Sequence, residues 1–229
     1  MTTYEKVLGI LAEPLGWVLS NIYNLIGNYG ITLIVFTLVV RACLLPLYAA
    51  QMKSSMKMQE VQPKVKEIQK KYANNKQVMN EKMMELYREE KFNPAGGCLP
   101  MLVQMPIILA LFVLLRNPVF FMKSDQMIMA VHENFLWIPD LSQADPWVMP
   151  LLAAIATFFS FSLTQALSPS GAAMAGQAGM MKVMKYFFPI MLFWMAHSFP
   201  AGLALYWFIG TTFQIGQLYV MKKYRERKG

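Results

Sequence analysis

Long apolar stretches separated by charged segments dominate the pattern of hydrophobic and polar positions. The clearest apolar stretch covers residues 31 to 50 and reads ITLIVFTLVVRACLLPLYAA. Twenty residues of α-helix rise about 30 Å, which matches the hydrocarbon thickness of a bilayer. Further apolar stretches cover residues 99 to 115, 147 to 167 and 183 to 221. This pattern predicts an all-α polytopic membrane protein.

The last apolar stretch is too long for one span. A straight helix over residues 183 to 221 would be nearly 60 Å long, about two hydrocarbon thicknesses. The sequence Phe199-Pro200-Ala201-Gly202 interrupts this stretch, and Pro and Gly disfavour helix continuation. We therefore expect two spans, at about 183–198 and 202–221, which makes five transmembrane helices in all.

The N-terminal segment, residues 1 to 28, has a different pattern. Its apolar residues recur at steps of three and four, as in an amphipathic helix: Val7, Leu8, Leu11, Leu15, Val18, Ile22, Leu25 and Ile26. Glu13 and Pro14 lie near the middle of this segment. We interpret it as a helix in the membrane interface, with Pro14 as a candidate kink. The alternative is a sixth span.

A long charged segment, residues 52 to 92, separates the first two spans. Within it, apolar residues at helical spacing mark two amphipathic helices, with Val61, Val65 and Ile68 on the first and Val78, Met79, Met83, Leu86 and Tyr87 on the second. Ala73-Asn74-Asn75 separates the two, and the run from Asn93 to Gly97 follows the second. We expect a helical hairpin that ends at this Pro- and Gly-containing run.

Composition and charge support a membrane location and assign an orientation. Only 15% of the residues are charged, against about 25% in soluble domains. Ten of the 21 Lys and Arg residues lie in the segment 52 to 92 and five in the tail 222 to 229, whereas the loop 116 to 146 is net acidic. Because Lys and Arg concentrate on the cytoplasmic side of membranes, we expect the N-terminus outside and the C-terminus in the cytoplasm. This placement of the positive charge argues against DNA binding.

Arg41 is the sharpest functional signal, because it lies near the middle of the first predicted span. An Arg at the centre of a span costs roughly 2.5–3.5 kcal/mol on insertion scales and normally faces protein or a water-filled cavity. The five predicted spans contain no Asp or Glu that could neutralise it. We therefore expect a hydrated, positively charged groove within the bilayer. The alternative is that Arg41 snorkels to the cytoplasmic face.

Polar residues on the other spans are candidates for lining the same groove. They are Thr37 one turn before Arg41, Gln104 on the second span, Ser160, Thr164 and Gln165 on the third, and Thr211, Thr212, Gln214 and Gln217 on the fifth. The alternative for each is an ordinary interhelical hydrogen bond, worth about 0.6 kcal/mol on average. Tyr206 and Trp207 on the fifth span either pack within the bilayer or line the path of a passing apolar helix.

Motifs of nucleotide hydrolysis, metal catalysis and acyl transfer are absent from the sequence, which contains no GxxxxGK[ST], HExxH or GxSxG. His132 and His197 are isolated from each other, and Cys43 and Cys98 lack metal-ligand spacing. We expect the cysteines to be packed thiols. The sequence therefore predicts neither an enzyme nor a bound metal or cofactor.

Three stretches resemble the YidC family of membrane protein insertases. They are IVFTLVVRACLLPL, then MKMQEVQPKVKEIQKKYANNK followed by LYREEKFNPAGGCLPMLVQMPI, and finally FPAGLALYWFIGTTFQIGQLYVMKK. The resemblance extends from about Tyr29 to Lys223 and is to the short, Gram-positive-like, five-span form without a lipoprotein cysteine. It implies insertion and chaperoning of membrane proteins in the bacterial plasma membrane, without nucleotide hydrolysis. The implied partners are nascent membrane proteins and the bilayer, with the ribosome and the general secretion channel as further candidates.

The resemblance also implies roles for individual residues. Arg41 matches the groove arginine, Thr37 the position one turn before it, and Tyr206 and Trp207 the aromatic pair on the last helix. The segment 52 to 92 matches a cytoplasmic hairpin that receives substrate. The glutamine that the resemblance leads us to expect near Ser160 is missing, and Gln165 is the nearest one, so the lining of the third span is open.

Two other classes of protein remain as alternatives. In a small transporter or channel, Arg41 would be an anion site. In a membrane scaffold, the basic tail, residues 222 to 229, would bind a partner. The chain lacks an acidic relay and an internal repeat of two halves, which argues against a transporter. The sequence does not determine the substrate range or the oligomeric state.

Overall fold

The computed structural model describes residues 3–91, 99–121, 125–167 and 177–226. These residues form ten helices: α1 (Thr3–Ile26), α2 (Tyr29–Cys43), α3 (Leu45–Lys71), α4 (Lys76–Glu89), α5 (Leu99–Arg116), α6 (Pro118–Phe121), α7 (Asp125–Ala130), α8 (Val148–Leu167), α9 (Gln177–Ala196) and α10 (Ala201–Glu226). The predicted all-α class is confirmed.

The predicted first span, residues 31 to 50, is two helices rather than one. The Asn28 side chain caps α2 by accepting a hydrogen bond from the Ile31 amide at 3.0 Å, and α2 ends at Cys43. Helix α3 begins at Leu45 with Pro46 in its first turn. Because proline has no amide N–H, Pro46 cannot donate to the Ala42 carbonyl, and the α-helical ladder is interrupted there.

Helices α3 and α4 pack against each other around a small core of their own. Its buried residues are Val61, Val65, Met83, Leu86 and Tyr87. Asn75 begins α4 by accepting a hydrogen bond from the Val78 amide at 3.2 Å. The first of these helices starts at Leu45 rather than at residue 52, because no turn separates the end of the first apolar stretch from the charged segment. The predicted stop at residues 93 to 97 lies outside the described residues.

Helix α1 packs against α2, α5 and α6 through part of the predicted apolar stripe, namely Leu15, Val18 and Ile22, and through small residues. Gly16 is buried so closely that a Cβ there would lie 2.7 Å from the Phe121 carbonyl oxygen and 2.8 Å from Leu114 Cδ1. Leu25, on the predicted stripe, is 88% exposed. Part of the predicted stripe thus packs on the protein, and the placement of α1 in the membrane interface stays a prediction. The helix runs through Pro14 without a break.

The main core joins α1, α2, α5, α6, α7, the first turn of α8, α10 and the loop between α7 and α8. Its largest fully buried side chains include Leu19, Tyr29, Leu33, Phe36, Leu111, Leu114, Met127, Leu141, Met149, Leu203 and Tyr206. Helix α8 packs between α9 and α10. Helix α10 continues to Glu226, so the start of the predicted tail at 222 to 229 is helical and residues 227 to 229 lie outside the described residues.

The loop between α7 and α8, residues 131 to 147, binds the starts of α2, α8 and α10. We call this region the closed end. Its Gln143 and Leu141 carbonyls accept the Ala201 and Gly202 amides of α10 at 2.7 and 2.9 Å. Glu133 accepts the Tyr29 amide of α2 at 2.7 Å. These bonds satisfy amides that a helix N-terminus leaves unpaired.

One helix of the described part, over Val148–Ala166, is long and apolar enough by length and composition to cross a membrane. The predicted spans at 31 to 50, 99 to 115 and 183 to 198 correspond to shorter apolar helices, Tyr29–Cys43, Met105–Arg116 and Val183–Ala196. The number of spans therefore stays a prediction.

Candidate functional site

Arg41 lies in the last turn of α2, where α2, α3 and α10 meet. Its side chain is only 5% exposed. One nitrogen, Nη1, donates a hydrogen bond to the Tyr48 hydroxyl at 2.8 Å, and Cζ lies 5.6 Å from the centroid of the Tyr48 ring. Arg41 is thus enclosed by residues of α3 and α10. The hydrated groove stays a prediction.

The charge of Arg41 has few partners. Within the ranges that the structure describes, no carboxylate lies within ion-pair distance of the guanidinium, and its buried Nε has no hydrogen-bond acceptor. A guanidinium carries five N–H donors, and leaving a buried donor unpaired costs about 1–3 kcal/mol, more for a charged group. The site is therefore well suited to accept an anionic or carbonyl group.

Thr37 is buried one turn before Arg41, as expected from the helical spacing. Its hydroxyl donates to the Leu33 carbonyl of the same helix at 2.6 Å. The donor of Thr37 is thus used within α2, while its oxygen keeps acceptor capacity. The hydrogen bond that the Thr37 hydroxyl donates is thus local to α2.

The third-span candidates lie on α8. Ser160 is buried, and its carbonyl accepts the Thr164 hydroxyl at 2.8 Å, while Gln165 is half-buried. Thr157, which our sequence analysis did not single out, is buried one turn before Ser160 and accepts the Trp207 indole N–H at 3.1 Å. Its helical spacing from Ser160 was the available signal, because residues three apart share a helix face.

The last helix separates the two predicted aromatic residues. Tyr206 is 2% exposed and packs in the main core. Trp207 is half-buried, bonds to Thr157 on α8, and lies 6.2 Å from the Phe188 ring of α9. Trp207 therefore joins three helices through one side chain.

The contacts of Arg41 and those of Trp207 form two separate groups. Arg41 on α2 meets Tyr48 of α3 and Gly210 of α10, whereas Trp207 of α10 meets Thr157 of α8. Among the other candidates, Gln214 is half-buried on α10. Gln104 lies on α5, but its side chain falls outside what the structure describes. A common lining formed by all the predicted groove residues stays a prediction.

Lys185 is a second cation that touches helix faces within the bundle. Its Nζ lies 5.3 Å from the ring centroids of both Phe158 on α8 and Tyr186 on α9. Aromatic faces attract ammonium groups by about 0.5–2 kcal/mol each.

Cys43 is exposed rather than packed as predicted, because it follows the buried Arg41 by two residues and so lies on the opposite side of α2. Cys98 lies outside the described residues.

Three ion pairs lie outside the helix bundle among the described residues. On the helix pair of α3 and α4, the hydrogen bond from Lys64 holds the pKa of Glu90 below its usual value. In the closed end, desolvation is the largest effect on Asp140 and raises its pKa, but hydrogen bonds from Ser142 and His132 outweigh it and leave the pKa lowered. Ser142 and Asp140 approach the same nitrogen of His132, Nδ1. This is not the relay of a catalytic triad, in which the two groups occupy different ring nitrogens.

Comparison with known proteins identifies similar chains. A family model described as "60Kd inner membrane protein" matches residues 21–228. A protein of Fusobacterium nucleatum named "Membrane protein insertase YidC" is 39% identical over 219 residues, which cover 95% of this chain and 98% of that protein. Proteins of the same name from Haemophilus ducreyi and Shewanella loihica are 38% and 40% identical over 96% of this chain. The chain spans 38% of the length of each of these two relatives.

A solved structure is similar along nearly the whole chain. It is described as an active YidC insertase with the first transmembrane domain resolved. The superposition has a TM-score of 0.65 at 31% sequence identity and covers 96% of this chain and 47% of the other. The sequence similarity and the structural similarity thus each extend over nearly the whole chain.

Proposed function

The chain belongs to the 60Kd inner membrane protein family, and from that premise we propose that it inserts and folds nascent membrane proteins in the bacterial plasma membrane. Relatives at 38–40% identity carry the name membrane protein insertase. The observation that carries the proposal for this chain is Arg41, a cation that is 5% exposed and has one hydrogen-bond acceptor among the described residues.

The proposed membrane arrangement has five spans with the N-terminus outside and the C-terminus in the cytoplasm. The basic segment 52 to 92 and the basic tail support this orientation, because Lys and Arg are retained on the cytoplasmic side. The closed end then lies outside, where its dense hydrogen bonding hinders a through-going pore. Helix α1 lies along this outer surface, with Trp17 and Leu25 exposed toward lipid.

Insertion through such a site needs no nucleotide. A short polar tail of the substrate enters from the cytoplasm, and an acidic group in it is held transiently near Arg41. The membrane potential, positive outside, then favours outward movement of that group by about 2.3 kcal/mol per charge per 100 mV. Transfer of the substrate's apolar helix into lipid contributes more free energy than the potential does, at roughly 25 cal/mol per Å² of apolar surface.

The helix pair of α3 and α4 is proposed to meet the substrate first. Its core is small, with five buried apolar residues, and its surface carries charged residues beside the exposed apolar side chain of Met84. A flexible thioether adapts to many apolar partners. Binding of the ribosome or of the general secretion channel, with the basic tail as a contact, is part of this proposal.

The proposal is tested with purified protein of verified orientation in liposomes. Two single-span substrates are compared that differ only in one tail residue, Asp or Asn, and the readout is protease protection of the tail. Arg41→Ala is expected to reduce insertion of the Asp substrate about tenfold, equivalent to roughly 1.4 kcal/mol. Arg116→Ala, which removes an arginine at the end of α5, is the matched control.

Either of two outcomes would contradict the proposal. Wild-type liposomes that protect neither substrate would exclude autonomous insertion. Equal protection of both substrates by wild type and by Arg41→Ala would exclude a role for the buried charge. Measurement of anion flux in the same liposomes would then test the transporter alternative.

A further inference from the structure

Helix α10 passes unusually close to the Arg41 guanidinium at Gly210. A Cβ atom built on Gly210 would lie 2.7 Å from Nη2, 3.1 Å from Nε and 3.3 Å from Cζ of Arg41. Contacts shorter than about 3.4 Å are tighter than carbon atoms accept at van der Waals separation. The guanidinium therefore occupies the space that any side chain at position 210 would take.

Tyr48 borders the guanidinium from the opposite helix. Its hydroxyl accepts the hydrogen bond from Nη1 at 2.8 Å, and its ring lies 5.6 Å from Cζ, within the range of a cation–π contact. Tyr48 is itself buried. It lies near the start of α3, so the helix break at Leu44 determines its position relative to Arg41.

We propose that Gly210 and Tyr48 form a socket that positions the Arg41 guanidinium for the acidic group of a substrate. Gly210 supplies the clearance, and Tyr48 supplies an acceptor and an aromatic face that hold one edge of the guanidinium. Both are positioning residues, because they act through Arg41 and not on the substrate. This inference rests on the proposed function and deepens it by naming what selects acidic tails.

The geometry predicts that a methyl group at position 210 displaces Arg41 and not helix α10. The atoms that it would meet are the far end of a flexible side chain, and they move at a small cost. Gly210 lies in the interior of α10 and has no left-handed backbone conformation. Alanine is favoured over glycine there in helix propensity. Gly210→Ala should therefore keep the fold and move the charge.

Gly216 provides a matched control on the same helix. A Cβ built on Gly216 meets nothing within 4 Å, so Gly216→Ala makes the same chemical change without touching Arg41. The liposome assay is run on both variants with the Asp and Asn substrates, and the midpoint of thermal unfolding in detergent is measured for each. Gly210→Ala is expected to lower the Asp-to-Asn insertion ratio about three- to tenfold, equivalent to about 0.7–1.4 kcal/mol. Gly216→Ala should leave the ratio unchanged, and neither should lower the unfolding midpoint.

Tyr48→Phe is the second, independent variant. It removes the acceptor and keeps the ring, so the Asp-to-Asn ratio is expected to fall about threefold, the effect of losing a typical hydrogen bond. Tyr219→Phe, at an exposed tyrosine of α10, is its control. In the background of Arg41→Ala, both Gly210→Ala and Tyr48→Phe should have no further effect on the ratio, because positioning requires the group that is positioned.

The results separate this inference from the proposed function. If wild type inserts the Asp substrate preferentially and both Gly210→Ala and Tyr48→Phe keep that preference, the proposal of a positioning socket is wrong and the insertase proposal stands. The same holds if the variants reduce insertion of the Asp and Asn substrates equally, since that indicates general damage. If wild type inserts neither substrate, the proposed function itself fails.

Discussion

Two buried charges, Asp145 and Arg41, are equally hidden from solvent and have opposite surroundings. Asp145 is 6% exposed and Arg41 is 5% exposed. Oδ1 of Asp145 accepts the amides of Trp147, Val148 and Met149 at 2.9, 2.7 and 3.3 Å, and Oδ2 accepts the Trp137 indole at 2.9 Å. Among the residues that the structure describes, Arg41 has a single acceptor, the Tyr48 hydroxyl.

The difference indicates what each charge is for. A buried carboxylate with four donors at a helix N-terminus stabilises the fold, since it caps α8 and interacts favourably with the helix dipole. A buried guanidinium with an unpaired donor contributes little to the fold and retains its capacity for an incoming acceptor. This contrast supports the proposal that the closed end is the structural region and the surroundings of Arg41 the functional one.

The largest expected effect on stability is that of Asp145→Ala. It removes the cap of α8 and leaves the Trp137 indole without its acceptor, which should lower the free energy of unfolding by about 2–4 kcal/mol. The midpoint of thermal unfolding in detergent measures this. Asp145→Asn, which keeps an acceptor oxygen, should lose less than half as much. An unchanged midpoint of thermal unfolding in Asp145→Ala would show that Asp145 does not stabilise the fold and would contradict its contrast with Arg41.

The next effect concerns the packing of the closed end. A Cβ on Gly30, in the first turn of α2, would lie 2.1–2.7 Å from atoms of the Phe135 ring. Gly30→Ala is expected to cost about 1–3 kcal/mol through overpacking. A second change, Phe135→Leu, should recover part of the loss by making room. Equal instability of the single and double variants would show that the ring is not responsible.

A small or favourable effect on stability is expected for Arg41→Met. The change removes a desolvated charge and retains most of the side-chain volume, so the unfolding midpoint should stay the same or rise. Insertion of the Asp substrate should fall at the same time. A loss of more than about 2 kcal/mol, as expected for a charge that belongs to a satisfied network, would assign Arg41 to the structural class with Asp145.

The smallest effect concerns acid pH at the closed end. The pKa of Asp140 is lowered in the folded protein, with desolvation opposed by the hydrogen bonds of Ser142 and His132. A lowered carboxyl pKa adds stability that is present above the unfolded value of about 3.9 and is lost as pH falls through the folded pKa. Ser142→Ala should reduce this acid dependence of the unfolding midpoint. An unaltered pH profile would exclude Ser142 as a contributor.

Several features of the fold were predictable because they depend on local physics. The apolar stretches predicted helices, since a run of that length must satisfy its backbone groups internally. The two helices of the segment 52 to 92 followed from residues at helical spacing around a short Asn-containing turn. The burial of Gly16 on α1 was not predictable in the same way, because Gly16 became an interior residue only when α5 and α6 approached it.

The residues of the candidate site also divide into those with a local signal in the sequence and those without one. Arg41 stood out in the sequence because a charge inside an apolar stretch carries an energetic cost wherever the helix lies. Thr157 lies three residues before Ser160, a spacing that places both residues on one face of a helix. Gly210 had none, since one of 13 glycines becomes special only when another helix places a guanidinium against it.

The sequence by itself determined the all-α class, the placement of the charged segments and the presence of a costly cation in an apolar stretch. Each of these depends on residues close to one another along the chain. The tertiary structure decided what surrounds that cation and what closes the bundle. Arg41 meets Gly210 across more than half of the chain, and Glu133 bonds to an amide 104 positions away. Such contacts depend on the rotation and axial offset of packed helices, which no local pattern encodes.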